Sequence, residues 1–261
     1  MANDNWASLA RIGMFIVGRE VVPEAEWWAM APPGVSIHAA RVTAGTPWAP
    51  WTAGRSGVTL CDDLLRGCRD FAAIGVDVAV LGHSSSSIVG GAGWDEAAIA
   101  ALGAALGSAV RPTTNGADVR AALAHLGVSR PFLVMPAWMS DGVLAAAARY
   151  LEAHGTPASA VWRYRPPAPW DALPPDGLYP AGMATAQETE RLMTQVLDHC
   201  PASADGVLLA GTGFRCVGII DALEKRLARP VVTANQASLW NALRLAGVTA
   251  RREGYGTLLA G

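Results

Sequence analysis

Two short loops carry the residues in this chain whose types and spacing could do chemistry. One is Gly82-His83-Ser84-Ser85-Ser86-Ser87, directly after the apolar run 76–81. The other is Gly211-Thr212-Gly213-Phe214-Arg215, after the apolar run 206–210. Both precede a stretch that reads as a helix or a helix-like turn. Such a loop presents free backbone N–H groups and the positive end of a helix dipole. Small residues let an anion approach the backbone, and the hydroxyls of Ser84, Ser85 and Thr212 add donors. Two such cradles facing each other suit a carboxylate, or an enediolate formed from one. The plainer reading is a helix cap. One serine suffices for that; four, mirrored by a second loop, favour binding.

His83 and Ser84 are the candidate catalytic residues. A histidine at the mouth of an anion site has its pKa drawn upward by bound carboxylate and can shuttle a proton; the alternative is a ring that turns away and bonds a neighbour. The candidate substrate-binding residues are Gly82, Ser85, Gly211, Thr212, Gly213, Trp138, Asn235 and Arg215. Arg215 is read either as a carboxylate clamp or as an exposed side chain. Asn115, Asn235 and Gln236 stand on strand-end loops that open toward the same cleft. Trp138 and Met139, in MPAWMSDG, offer an apolar wall; Trp48 and Trp51 offer a lid, although aromatics are more often packing. No GxxxxGK[ST] occurs, GTGFRC is not GxGxxG, and GHSSSS lacks the last glycine of GxSxG.

These loops need strands beneath them. Apolar runs of strand length fall at 11–17, 34–41, 76–81, 130–135, 158–162, 206–210 and 230–234. Helical stretches fall at 56–74, 95–108, 116–126, 140–155, 186–199, 215–226 and 236–246. The alternation predicts an α/β fold with parallel sheets, and continuous rather than alternating apolar runs predict strands covered on both faces. Ligands in such sheets bind at the carboxyl ends of strands, where both loops lie. RPTTNGADVRAALAHLGV at 111–128 and RPVVTANQASLWNALRLAGV at 229–248 share one layout, with a two-residue offset. The chain therefore reads as two related halves, 1–128 and 129–248, with a site between them and residues 249–261 completing the first half. The Pro-rich stretches 44–57 and 164–182 read as loops.

With 20 Lys and Arg against 22 Asp and Glu, no electrostatic reason points to nucleic acid or an anionic membrane. Apolar stretches break well before the ~18 residues of a membrane helix. Asp4, the short apolar core 12–17, and Arg19 and Glu20 behind it do not fit a secretory signal. The five histidines and four cysteines are scattered without CxxC or zinc-type spacing, so neither metal nor disulfides are expected and a cytoplasmic setting is the simplest reading. An Ala/Leu-rich surface allows a homo-oligomer.

GVDVAVLGHSSS, the long segment DGVLLAGTGFRCVGIIDALEKRLARPVVTANQASLWNALRLAGV and EGYGTLL resemble the arylmalonate decarboxylase and maleate isomerase group of the aspartate/glutamate racemase superfamily. RIGMFIV and PAWMSDGV fit the same layout. The resemblance implies two Rossmann-like halves related by a pseudo-twofold axis. It implies no metal or organic cofactor, and a carbanion or enediolate beside a carboxylate or cysteine addition to a double bond. It places a carboxylate site at Ser84, Ser85, Thr212 and Gly213, and a tyrosine donor near Trp138. It also places one cysteine at each of Gly82 and Gly211, or, in arylmalonate decarboxylases, only the second. This chain has neither. Cys216 is five residues beyond Gly211 and reads as a small buried residue. One-sided acid/base chemistry through His83 then suits a decarboxylase-like lyase acting on a small carboxylate better than a racemase. The alternatives are an isomerase, a hydrolase of an amide, imide or lactone using an acid such as Asp141, or a binding protein without turnover.

Overall fold

The computed structural model describes residues 6–261; Asp4 lies outside the described residues. The first half runs β1 (Ala10–Val17), α1 (Val22–Met30), β2 (Val35–Val42), α2 (Asp62–Ile74), β3 (Val78–Leu81), α3 (Ser84–Gly90), α4 (Trp94–Leu106), β4 (Arg111–Thr114) and α5 (Asn115–His125). The second runs β5 (Pro131–Met135), α6 (Asp141–Ala153), β6 (Ala160–Arg163), α7 (Pro175–Leu178), α8 (Met183–Ala186), α9 (Thr189–His199), β7 (Gly206–Leu209), α10 (Ile220–Leu227), β8 (Val231–Thr233) and α11 (Ala234–Ala246), with α12 (Thr257–Ala260) after it.

The strands form two parallel four-stranded sheets, ordered β2-β1-β3-β4 and β6-β5-β7-β8. The two orders are the same order, so the halves repeat one another as the sequence repeat implies. β3, β5 and β7 are buried along their whole length, which explains their unbroken apolar runs.

Each sheet is covered partly by the other half's last helix. Val119, Ala122 and Leu123 of α5 pack with Leu133, Met135, Leu208 and Val232 of the second sheet. Leu239, Ala242 and Leu243 of α11 pack with Ile12, Met14, Val78 and Val80 of the first. Leu258 of α12 joins the cluster on the second sheet and Leu259 the cluster on the first.

Three expectations shift. The helix expected from residue 56 begins at Asp62, because Val58 bridges back to Trp51 and Cys61 stays extended as the residue before the helix. The helix expected from 215 becomes a short 3-10 turn, Val217–Ile219, followed by α10. α1 was not among the expected helices. Pro23 in its first turn marks the start, since proline fits there without losing a hydrogen bond.

Candidate active site

A cleft of about 260 Å³ opens between the halves at the carboxyl ends of β1, β3, β5 and β7. The first loop contributes His83, Ser84 and Ser85; the second contributes Gly211, Thr212 and Gly213. Trp138 and Met139 follow β5, Thr46 and Trp48 come from the loop after β2, and Tyr179 follows α7. The two loops read from the sequence therefore share one cavity.

The first loop is set by the sheet. Gly82 N–H donates to Phe15 O at 3.0 Å, and a Cβ at this position would sit 2.9 Å from that oxygen, so the chain is too close to β1 for an unstrained side chain. His83 then lies flat on Trp48, with ring centroids 4.1 Å apart and planes 14° apart. Its Nδ1 is 2.8 Å from Ser86 Oγ, which also accepts Trp48 N–H at 3.0 Å. The arrangement that uses every group has the Ser86 hydroxyl donating to Nδ1, which leaves the proton of the neutral ring on Nε2. Burial pushes the His83 pKa down to about 3. His83 is thus a neutral imidazole at physiological pH, and burial works against the upward draw expected from a bound carboxylate. It can donate a hydrogen bond; it is a poor acid or base.

Ser84 Oγ donates to Asn115 Oδ1 at 2.6 Å, and the Asn115 amide is held in turn by Ala234 O and Ser238 Oγ, both at 2.9 Å. Among the described residues the backbone N–H groups of Ser84, Ser85, Thr212 and Gly213 have no acceptor within the chain. α3 spans only 7 residues, so the donors of this loop act as local N–H and O–H groups rather than through a helix dipole.

The second loop excludes side chains at its start. Gly211 has φ +111°, and a Cβ there would meet Pro136 Cγ at 2.7 Å. Gly213 packs directly on the Glu20 carboxyl: a Cβ would collide with Oε1.

Glu20, on the loop after β1, is a cleft residue that sequence reading missed, as are Thr46 and Tyr179. Its side chain is buried, Oε2 has no hydrogen-bond partner, and neither has the buried Oη of Tyr179 beside it. Desolvation raises the Glu20 pKa to about 7, opposed by the neighbouring Tyr179 hydroxyl. The same burial raises the Tyr179 phenol far above its usual range. Its signal in the sequence was its place: a carboxylate three residues beyond a strand's carboxyl end.

Other expected site residues lie elsewhere. Arg215 is exposed, and its guanidinium donates to Thr185 O at 2.9 Å and Gln187 O at 3.2 Å. It lines a neighbouring groove, because those carbonyls satisfy it on the far side of the loop. Asn235 is buried behind the second loop, donating to Thr212 O at 2.9 Å and to Glu26 Oε2 at 2.7 Å, so it shapes the cradle without facing the cleft. Trp51 lies outside too, its Nε1 donating to Gly90 O at 2.9 Å. Asp141 is 90 % exposed and pairs with Arg163 at 2.8 Å. Cys216 is buried, and its N–H donates to Glu26 Oε1 at 2.6 Å. Among the described residues no three His, Cys, Asp or Glu side chains gather as a metal site requires, and no helix is long and apolar enough to cross a membrane.

The family model described as arylmalonate decarboxylase matches residues 57–259. The chain belongs to the arylmalonate decarboxylase family. That span holds both cradle loops, Trp138 and Tyr179, whereas Glu20 and Trp48 precede it. Arylmalonate decarboxylase of Bordetella bronchiseptica is 35% identical over 96 residues, which cover 34% of this chain and 40% of that protein. A sulfate-associated glycine-to-cysteine variant of an arylmalonate decarboxylase superposes with TM-score 0.76 at 24% identity, covering 96% of this chain and 100% of the other. A cysteine-to-alanine variant of the maleate isomerase of Pseudomonas putida S16, solved with maleate, gives TM-score 0.78 at 18% identity over 97% and 98% of the two chains. At these identities the two structures establish that the family fold is shared.

Proposed function

We propose that this member of the arylmalonate decarboxylase family is a decarboxylase-like lyase that needs no cofactor. It acts on a small aryl- or alkyl-substituted carboxylate or dicarboxylate through an enediolate. One observation carries the reading: the unpartnered N–H groups of Ser84, Ser85, Thr212 and Gly213 come from two facing loops into one cleft, with His83 as a further neutral donor. Preorganised donors aimed at a carboxylate strengthen as its charge grows toward the enediolate, which lowers the barrier to its formation. Trp48, Trp138 and Met139 supply an apolar wall for the substituent.

A maleate-type isomerase that adds a thiol to the double bond fits less well. None of the four cysteines lines the cleft, and a glycine stands at both loop positions where the resemblance places one. A hydrolase drawing on Asp141 loses its acid, which points to solvent.

The test is proton NMR in deuterated buffer on arylmalonates and maleate together. The expected result is loss of arylmalonate, with one deuterium appearing beside the remaining carboxylate. Cys216→Ala should turn over like the wild type, and Ser85→Ala more slowly. Conversion of maleate alone, or consumption without carbon-bound deuterium, would sink the reading.

A further inference from the structure

We propose that the carboxyl group of Glu20 carries the proton in this cleft, delivering it to the carbon beside the cradled carboxylate. The inference rests on the carboxylate-cradle reading above.

Four acidic side chains are buried among the described residues: Glu20, Glu26, Asp95 and Asp118. Three of them are fully occupied. Glu26 accepts from Cys216 N–H, Val217 N–H and Asn235 Nδ2. Asp95 accepts from Ser87, Thr114 and Tyr150, and Asp118 from Thr113, Ser238 and Asn241. These bonds are what a structural carboxylate needs, because burying one without donors is strongly unfavourable. Glu20 is the exception: it is 7 % exposed, it lines the cleft, and Oε2 has no partner. A buried group that the fold leaves unsatisfied at a cavity wall points to a role there.

Its position fits proton transfer. Oε1 lies against Gly213, so the carboxyl stands at the second cradle loop, next to where a bound carboxylate and its α-carbon would sit. The groups facing it are Tyr179 after α7 and His83 across the cleft, with Arg19 stacked over the Tyr179 ring at 5.1 Å. Tyr179 holds its proton too tightly and His83 is neutral, so neither competes as a proton carrier near pH 7. Burial already holds Glu20 half-protonated near neutrality, and a second carboxylate in the cradle raises its hold on the proton further.

The step balances. In a substituted malonate, the bond from the α-carbon to one carboxylate breaks, carbon dioxide leaves, and the electron pair enters the enediolate held in the cradle. The α-carbon then takes the proton of the Glu20 carboxyl. Glu20 is left as a carboxylate, and water returns its proton after the product departs. With one carrier on one side, the proton arrives on a single face.

The experiment compares the wild type with Glu20→Gln, which keeps shape, and Glu20→Asp, which keeps chemistry at a shorter reach. Phenylacetate binding is read by calorimetry. Turnover of phenylmalonate and α-deuteration of phenylacetate are read by NMR across pH. The expected result is phenylacetate affinity within about threefold for Glu20→Gln, with turnover and deuteration down at least about 100-fold. Glu20→Asp should recover part of the rate. Turnover in the wild type should fall above pH 7, and the residual rate of Glu20→Gln should lose that limb. Rates within threefold of wild type in Glu20→Gln would overturn the inference and leave the cradle standing. Wild-type protein that binds phenylacetate but neither exchanges its α-protons nor turns over phenylmalonate would also overturn it. Failure of the wild type to bind phenylacetate would overturn the cradle reading instead, and the inference with it.

Discussion

Asn115 and Asn235 both stand in the first turn of the last helix of their half, α5 and α11, and turn their amides to different tasks. Thr114, opposite Leu81, and Thr233, opposite Leu209, cap the two helices, and the asparagines follow them by one and two residues respectively. Asn115 offers its oxygen to the Ser84 hydroxyl at 2.6 Å. Asn235 offers its nitrogen to Thr212 O at 2.9 Å and to Glu26, and its oxygen has no partner. The same residue type thus orients a hydroxyl in one loop and a backbone carbonyl in the other.

Asn115→Ala should therefore act on both stability and binding. It leaves Ser84 Oγ, Ala234 O and Ser238 Oγ without a shared partner in a buried setting. The expected loss is about 1–3 kcal/mol in urea denaturation. The affinity for phenylacetate should drop several-fold more than in Asn115→Asp, which retains an oxygen for Ser84. Equal affinities in the two variants would mean that Asn115 does not orient the hydroxyl.

His83 should show no titration in the neutral range. Its pKa is pushed down to about 3, below the ordinary 6.5, by burial against Trp48. The ring protons followed by NMR from pH 5 to 8 should keep the shifts of a neutral imidazole with Nδ1 as acceptor. A midpoint near 6.5 would show a solvated ring and would restore His83 as an acid. His83→Gln, which can still donate a hydrogen bond, should lose less turnover than His83→Ala.

A cysteine restored at Gly211 should not restore a thiol mechanism. The backbone at φ +111° and the 2.7 Å approach of Pro136 Cγ both resist a side chain there. Gly211→Cys is expected to lower stability by about 1–3 kcal/mol and to reduce turnover. Gly213→Ala tests the neighbouring contact: the added methyl displaces the end of the Glu20 side chain, so turnover should fall while the melting temperature moves little.

Stability should report the Glu20 proton with a definite sign. The folded pKa is about 7 against an ordinary 4.5, so the folded state holds more protons between those values. Stability from this group is fully present below pH 4.5 and is lost as pH rises through 7. Glu20→Gln removes that slope, so it should gain on the wild type by as much as about 3 kcal/mol between pH 4.5 and 7.5. Urea midpoints at three pH values measure the difference; a constant difference would refute the buried-carboxyl assignment.

The sequence made the strands and the two cradle loops legible, because a strand covered on both faces must be apolar and its end must be small where a ligand approaches. What it hid was decided by environment. Glu20 is an ordinary glutamate by type; only its burial against Gly213 and Tyr179 sets it apart, and desolvation has no signature in a string of residues. Arg215 had the right type and neighbourhood for a clamp, but the carbonyls of Thr185 and Gln187, from a segment some 30 residues away in sequence, claim it. His83 was found by position, but the burial that pushes its pKa down has no mark in the string of residues around it.

The exchange of α5 and α11 between the sheets has a consequence for how a substrate gets in. A helix that continues one half while seated on the other acts as a strap, and two straps running in opposite directions stop the halves swinging apart as jaws. Domain opening would tear Leu123 from Leu133 on one side and Leu239 from Val78 on the other. Access to the cleft therefore falls to the segments that line it outside the two sheets: the loop of Thr46 and Trp48 and the Pro-rich segment that carries Tyr179. Turnover in this protein should be gated by a few residues of loop rather than by the motion of a domain.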